Sequence, residues 1–231
     1  YLQFLSKVGR GNFANFAICL ALLHGGSYLT YAFFQVYFLR DLGYDYATFA
    51  VLPCCSLVAT MIFVRFWGRV AERWGNRTVL RLCTCALALI PALYLLPPAL
   101  PFFLAAYALG GACWAGVNLA SFSYVMEAST PRRRIRCYAF MMATMLLVMG
   151  GCMLTAGWFA RHLPVIFTHR LQTMFLLAAV LRGLPALAFF FVIRELSDKP
   201  PATARQIFWE LPMVRSAAGV RRLLVQTFKR V

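Results

Sequence analysis

Acid is scarce in this chain. Seven Asp and Glu stand against 23 Lys and Arg in 231 residues, and only 13% of residues are charged, where a soluble domain carries about 25%. So few charges cannot clothe a water-facing surface, which excludes an ordinary soluble enzyme. Histidine is also rare, at three residues, and there is no Cys-x-x-Cys pair and no ligand-type His spacing. No metal and no other cofactor is therefore expected. The eight cysteines lie in or beside apolar runs and read as small packing residues rather than disulfide partners. No aspartate falls inside an apolar run and no Gly-x-Ser-x-Gly occurs. An intramembrane hydrolase would then rest on His24 with Ser27 at i, i+3, a single coincidence of spacing.

What the chain has instead is hydrocarbon: 62% of residues are hydrophobic and the mean hydropathy is +0.71. Six stretches reach the roughly 20 residues needed to cross a bilayer. They run over about 13–38, 46–66, 78–96, 102–126, 138–160 and 171–193. The fold class is all-α, a polytopic membrane protein, with an entry segment at 1–12, a six-helix region at 13–195 and a basic tail at 196–231. The first stretch is too long for a signal peptide and is followed by further spans. Because the chain opens at Tyr1 rather than Met, a fragment or processed product is expected.

Breakers mark short connections: Asp41-Leu42-Gly43, Trp74-Gly75-Asn76, Pro97-Pro98, Thr130-Pro131 and Pro164. Short links make neighbours antiparallel, and an even count returns both termini to one side. Nineteen of the 23 basic residues fall on that side, in the entry segment, the second-to-third and fourth-to-fifth turns, and the tail. By the positive-inside rule this face is cytoplasmic, which predicts a multi-pass protein of the cell inner membrane with both termini inside. The net charge of +16 is thereby explained by topology, and no nucleic acid partner is implied. In the tail, Met213, Ala217, Val220, Leu224 and Phe228 fall on one helical face opposite Arg215, Arg222 and Lys229. That pattern suits either a helix lying among anionic lipid headgroups or a frayed basic tail.

The second-to-third turn reads Gly68-Arg69-Val70-Ala71-Glu72-Arg73-Trp74-Gly75-Asn76-Arg77. Gly68 suits close helix approach, Gly75 suits a positive φ, and Glu72 among Arg69, Arg73 and Arg77 suits an exchangeable ion-pair cluster. This segment resembles the signature loop of the major facilitator superfamily, G-x-x-x-D-R-x-G-x-R, with Glu72 in place of the usual aspartate and Asn76 where a basic residue is common. The lead-in Tyr37-Phe38-Leu39-Arg40-Asp41-Leu42-Gly43 is similar to bacterial members. The resemblance, over about 13–195, implies one six-helix half of a twelve-helix transporter, the C-terminal one by its entry segment and tail. It further implies membrane lipid, a small-molecule substrate and a missing six-helix half as partners, with Gly68 to Arg77 as a cytoplasmic latch.

The family's first and fourth helices line the transport path, so their polar faces are the candidates. His24, Tyr28, Tyr31 and Gln35 share one face of the first helix, and Trp114, Asn118 and Ser121 recur at i, i+4, i+7 on the fourth. Polar groups in a membrane are costly unless partnered or wet, so these stripes suit either a substrate cavity or interhelical packing. Glycines 110, 111, 116, 150, 151 and 157 suit close packing or bending rather than binding. Arg182 sits mid-span, where arginine costs about 2.5–3.5 kcal/mol on insertion scales; it needs an internal partner, a water or a substrate anion, and no carboxylate lies at its depth. Proton coupling would fall to His24 or to the missing half; uniport is the remaining option. A non-transporting six-span sensor or scaffold is the alternative function.

Overall fold

The computed structural model describes residues 12–95, 99–162 and 170–191, and six helices account for nearly all of them. They are α1 (Asn12–Val36), α2 (Tyr46–Trp74), α3 (Asn76–Leu93), α4 (Leu100–Ala128), α5 (Arg134–His162) and α6 (Arg170–Phe191). All six are long and apolar enough to cross a membrane. The chain is an all-α, multi-pass membrane bundle, as the hydropathy implies. The basic tail lies outside the described residues, and so does the expected amphipathic helix within it.

Boundaries follow local chemistry rather than hydropathy. The run predicted to continue through Phe38 leaves α geometry at Val36, and Tyr37–Asp41 form a π turn in which Leu42 N–H donates to the Tyr37 carbonyl at 3.0 Å. Gly43, at φ +69°, then turns the chain. Asp45 opens α2 by accepting from Thr48 N–H at 3.1 Å, a bond that holds its carboxyl below the usual range. The second helix does not stop at 66. It runs on to Trp74, and the extension carries Arg69 and Arg73, which end the apolar run before the helix ends. Gly75 alone separates α2 from α3, and its φ of +84° is the left-handed geometry that glycine tolerates best. Thr130 begins α5 by accepting from the Arg133 and Arg134 amides at 2.8 and 3.1 Å.

Packing follows three main partnerships: α2 lies along α4, α1 lies between α5 and α6, and α3 lies along α6 and α4. The α2–α4 approach is the tightest. A Cβ at Gly111 would collide with the Ser56 carbonyl of α2, and one at Gly116 would crowd the Trp67 ring of α2 at 3.1 Å and collide with the Cys83 sulfur of α3. That proximity lets α2 side chains reach the α4 backbone: Thr60 Oγ1 donates to the Gly111 carbonyl at 3.0 Å and Trp67 Nε1 to the Ala112 carbonyl at 2.7 Å. In lipid, where apolar contact alone gives little preference for helix over solvent, such backbone approach and side-chain donation hold the bundle.

Other glycines behave differently from expectation. Gly68, read as a close-approach residue, has only an ordinary 3.8 Å contact, to the Leu119 side chain. Gly150, Gly151 and Gly157 of α5 face open space with nothing within 4 Å among the described residues.

One end of the bundle bears the arginine turns and the other an aromatic cluster. At the aromatic end Phe34 is ringed by Phe38, Phe49, Tyr94, Phe103, Tyr107 and Phe175, with ring centroids 4.9–6.4 Å apart. Tyr37 joins this layer through its hydroxyl, which accepts from Gln172 Nε2 at 3.2 Å.

Candidate functional site

The polar faces of α1 and α4 meet at one level. Phe16 stacks on Tyr124 at 4.3 Å near the basic end, and about two helical turns further along α1 His24 lies 4.6 Å from Trp114, ring centre to ring centre. His24 is buried, yet its polarity is satisfied locally: Nδ1 lies 2.9 Å from the Leu20 carbonyl. A carbonyl only accepts, so Nδ1 carries the hydrogen and, in the neutral ring, Nε2 keeps its lone pair. Beyond this contact the α1 face opens. Tyr28 stacks on Tyr31 at 5.7 Å, Tyr31 is 72% exposed, and Gln35 is exposed.

On α4 the predicted stripe splits. Trp114 is half-buried and Asn118 exposed, whereas Ser121 turns inward and its hydroxyl has no partner among the described residues. The line that continues outward is Trp114, Asn118, Phe122, spaced by four. Phe122 is exposed and meets Tyr138 of α5 edge to face at 6.1 Å. Sequence reasoning missed Phe122 because it followed i+7 to Ser121; the i+8 position carried the signal. The exposed parts of these two faces are thus Tyr31 and Gln35 on α1 and Asn118 and Phe122 on α4.

The second candidate, Gly68 to Arg77, is a helix end, a one-residue turn and a helix start. Glu72 and Arg69 are exposed, and Glu72 forms no ion pair among the described residues. The expected cluster around Glu72 is therefore absent within this bundle: Arg73 instead lays its guanidinium 5.0 Å over the Trp74 ring. The polar link at this end is Asn76, buried, whose Nδ2 donates to Glu127 Oε1 of α4 at 2.9 Å. Here Asn76, unusual in the loop pattern, finds use as a neutral donor to a carboxylate. Gly75 occupies the positive-φ position expected of it.

Arg182 is buried, and its partner is a backbone oxygen: Nη1 donates to the Leu87 carbonyl of α3 at 3.4 Å. No group of three or more His, Cys, Asp or Glu side chains suited to a metal ion occurs among the described residues.

A six-helix apolar bundle with a glycine-hinged basic turn between its second and third helices matches the family model described as Major Facilitator Superfamily over residues 16–230. The chain belongs to the major facilitator superfamily. No curated protein matches it. As a member it is a membrane transporter of the major facilitator type, a family whose work is generally transport rather than catalysis.

Proposed function

We propose that this major facilitator chain is one six-helix half, corresponding to the C-terminal half, of a twelve-helix secondary transporter that moves a small solute by alternating access. It would sit in the cell inner membrane with both termini in the cytoplasm, the side to which the arginine turns belong. The observation that carries this reading is uneven burial. Only 11% of the most apolar window of α2 and 17% of that of α5 is covered within the bundle, against 50% for α3. On α5 the uncovered face carries Leu147, Gly150, Leu154 and Gly157 at helical spacing, small residues alternating with large ones. Such a surface accommodates another helix at close range.

The substrate wall on this side of the path would be Tyr28, Tyr31, Gln35, Trp114 and Asn118, with His24 behind it and Phe122 added from the structure. Ser121, though part of the predicted stripe, serves packing in this reading. The wall offers π faces and neutral hydrogen-bonding groups, which suits a neutral or amphipathic solute. The latch would act between halves: Glu72, exposed and unpaired here, pairs with groups of the other half in one state of the cycle, while Gly68, Arg69, Arg73, Gly75 and Arg77 shape and charge its surroundings.

Uptake of labelled neutral solutes into proteoliposomes containing the full-length protein tests both parts. Tyr31→Ala and Asn118→Ala are expected to cut uptake at least about tenfold, the loss of roughly 1.4 kcal/mol of binding, with the protein still folded. Unchanged uptake in both variants would move the substrate off this wall. Glu72→Ala is expected to slow transport while membrane insertion stays intact; unaltered kinetics would remove the latch role. A folded protein that moves none of the solutes would favour the sensor or scaffold reading.

A further inference from the structure

The four acidic residues among the described residues, Asp41, Asp45, Glu72 and Glu127, all stand at helix ends or turns, so Arg182 in the middle of α6 has no carboxylate to meet. Among the described residues its one hydrogen-bond acceptor is the Leu87 carbonyl, and the reason that oxygen is free lies four residues on. Pro91 stands inside α3 and has no N–H, so the bond that residue 91 would donate to Leu87 does not exist. In lipid an orphaned carbonyl is as unwelcome as an unpaired guanidinium. We propose that Arg182 is a clasp over a proline break in α3, standing in for the missing amide of residue 91 and thereby setting how the last turn of α3, with Tyr94, is held.

Three observations support this. First, the same two helices make a second pairing of the same kind. Arg81 of α3 donates Nε to the Phe189 carbonyl of α6 at 3.3 Å. The two helices run antiparallel, so each lends an arginine towards the carbonyl-rich, negative end of the other. For Arg182 the acceptor arises from Pro91. Second, prolines do not attract such donors in general. Pro53 of α2 and Pro185 of α6 free the carbonyls of Phe49 and Leu181 in the same way, and neither receives a side-chain donor among the described residues. Third, α1 makes room for the clasp. A Cβ at Gly26 would come within 3.1 Å of Arg182 Cγ, so the arginine stem passes where α1 has no side chain.

The clasp is loose by construction. Its N···O separation of 3.4 Å is at the long end for a hydrogen bond, and Arg182 Nε has no partner among the described residues. Past the break, Tyr94 N–H donates to the Pro91 carbonyl at 3.2 Å, and the Tyr94 ring enters the aromatic cluster 4.9 Å from Phe34 and 5.6 Å from Phe175. Releasing Arg182 from Leu87 would free the tip of α3 to bend and carry Tyr94 with it. The device lies behind the His24 face of α1, at Gly26, and does not depend on the transporter reading.

A double-mutant cycle on the full-length protein tests it. Melting can be followed with a thiol-reactive dye, for which the buried Cys19, Cys83 and Cys113 are reporters. Arg182→Leu orphans the Leu87 carbonyl and is expected to lower the melting temperature by about 5 °C. Pro91→Ala restores the helix's own bond, so its gain should be larger in the Arg182→Leu background than in the parent, by about 3 °C. Pro53→Ala and Pro185→Ala should show no such excess. A gain from Pro91→Ala that is the same in both backgrounds, or an equal excess from Pro53→Ala, would overturn the proposal. Should Arg182→Leu fail to fold, Gly26→Ala displaces the same arginine by crowding its stem, and the same cycle with Pro91→Ala gives the same two outcomes. Maleimide labelling of Leu95→Cys, with Cys54→Ser to remove an exposed thiol, reads the bending itself. Arg182→Leu should raise the rate several-fold and Pro91→Ala should bring it back, whereas an unchanged rate would sink the bending of the α3 tip.

Discussion

The pair α3 and α6 and the pair α2 and α5 are built from equally membrane-compatible sequence and end in opposite situations. The helices α2 and α5 have the most hydropathic windows of the six, and they are the least covered; α3 has the least hydropathic window and is half covered. In a soluble protein the order would run the other way. Here lipid is the solvent and is as apolar as leucine, so high hydropathy marks exposure to lipid or to another helix bundle. Interior helices can instead spend positions on arginine, threonine and cysteine, provided each polar group meets a partner. Thus Arg81 and Arg182 tie α3 to α6 through backbone oxygens, while α5 presents Leu146, Leu147 and Leu154 outwards.

That contrast can be broken or sharpened by substitution. The largest effect is expected from Gly111→Leu in the closest interface, where even a Cβ meets the Ser56 carbonyl. Overpacking of this kind costs typically about 1–3 kcal/mol and more where backbone must move, so little folded protein should survive extraction in mild detergent, as size-exclusion chromatography would report. A folded, monodisperse Gly111→Leu would mean the α2–α4 contact is looser than described. Trp67→Phe comes next. It removes the 2.7 Å donor to Ala112 while keeping most of the ring, and is expected to cost about 0.6–1.5 kcal/mol, seen as a melting shift of a few degrees. The smallest shift belongs to Leu154→Ala, at a side chain 85% exposed on α5. Stability should stay within about 0.5 kcal/mol. If the second half covers this face, transport should fall all the same, and a large melting shift with normal transport would contradict the contrast.

Much of the architecture was legible because hydropathy and arginine placement are long-range, redundant signals. Six spans, short basic turns and the glycine at position 75 needed no tertiary information. The boundaries were less legible: α2 outlasts its apolar run by two turns because Arg69 and Arg73 keep good helix propensity past the end of that run. Site residues were readable as faces but not as directions. Spacing placed Ser121 on the stripe with Trp114 and Asn118, yet only the neighbours of α4 decide that Ser121 turns inward and Phe122 outward. Arg182 was the clearest gap. A sequence displays side chains as partners, whereas the acceptor is a carbonyl made available by a proline in another helix. Glycines told least. Gly111 and Gly150 read alike in sequence, and one is pressed against a neighbouring backbone while the other meets nothing.

The single-residue joint at Gly75 has a mechanical corollary. With no slack between them, α2 and α3 are two levers on one fulcrum, and any swing of α2 relative to α3 must be absorbed by the two torsions of that glycine or passed on to α3 itself. Because α3 is tied to α6 through Arg81 and Arg182, a push delivered to the outward-facing flank of the bundle would travel inward through that joint to this helix pair.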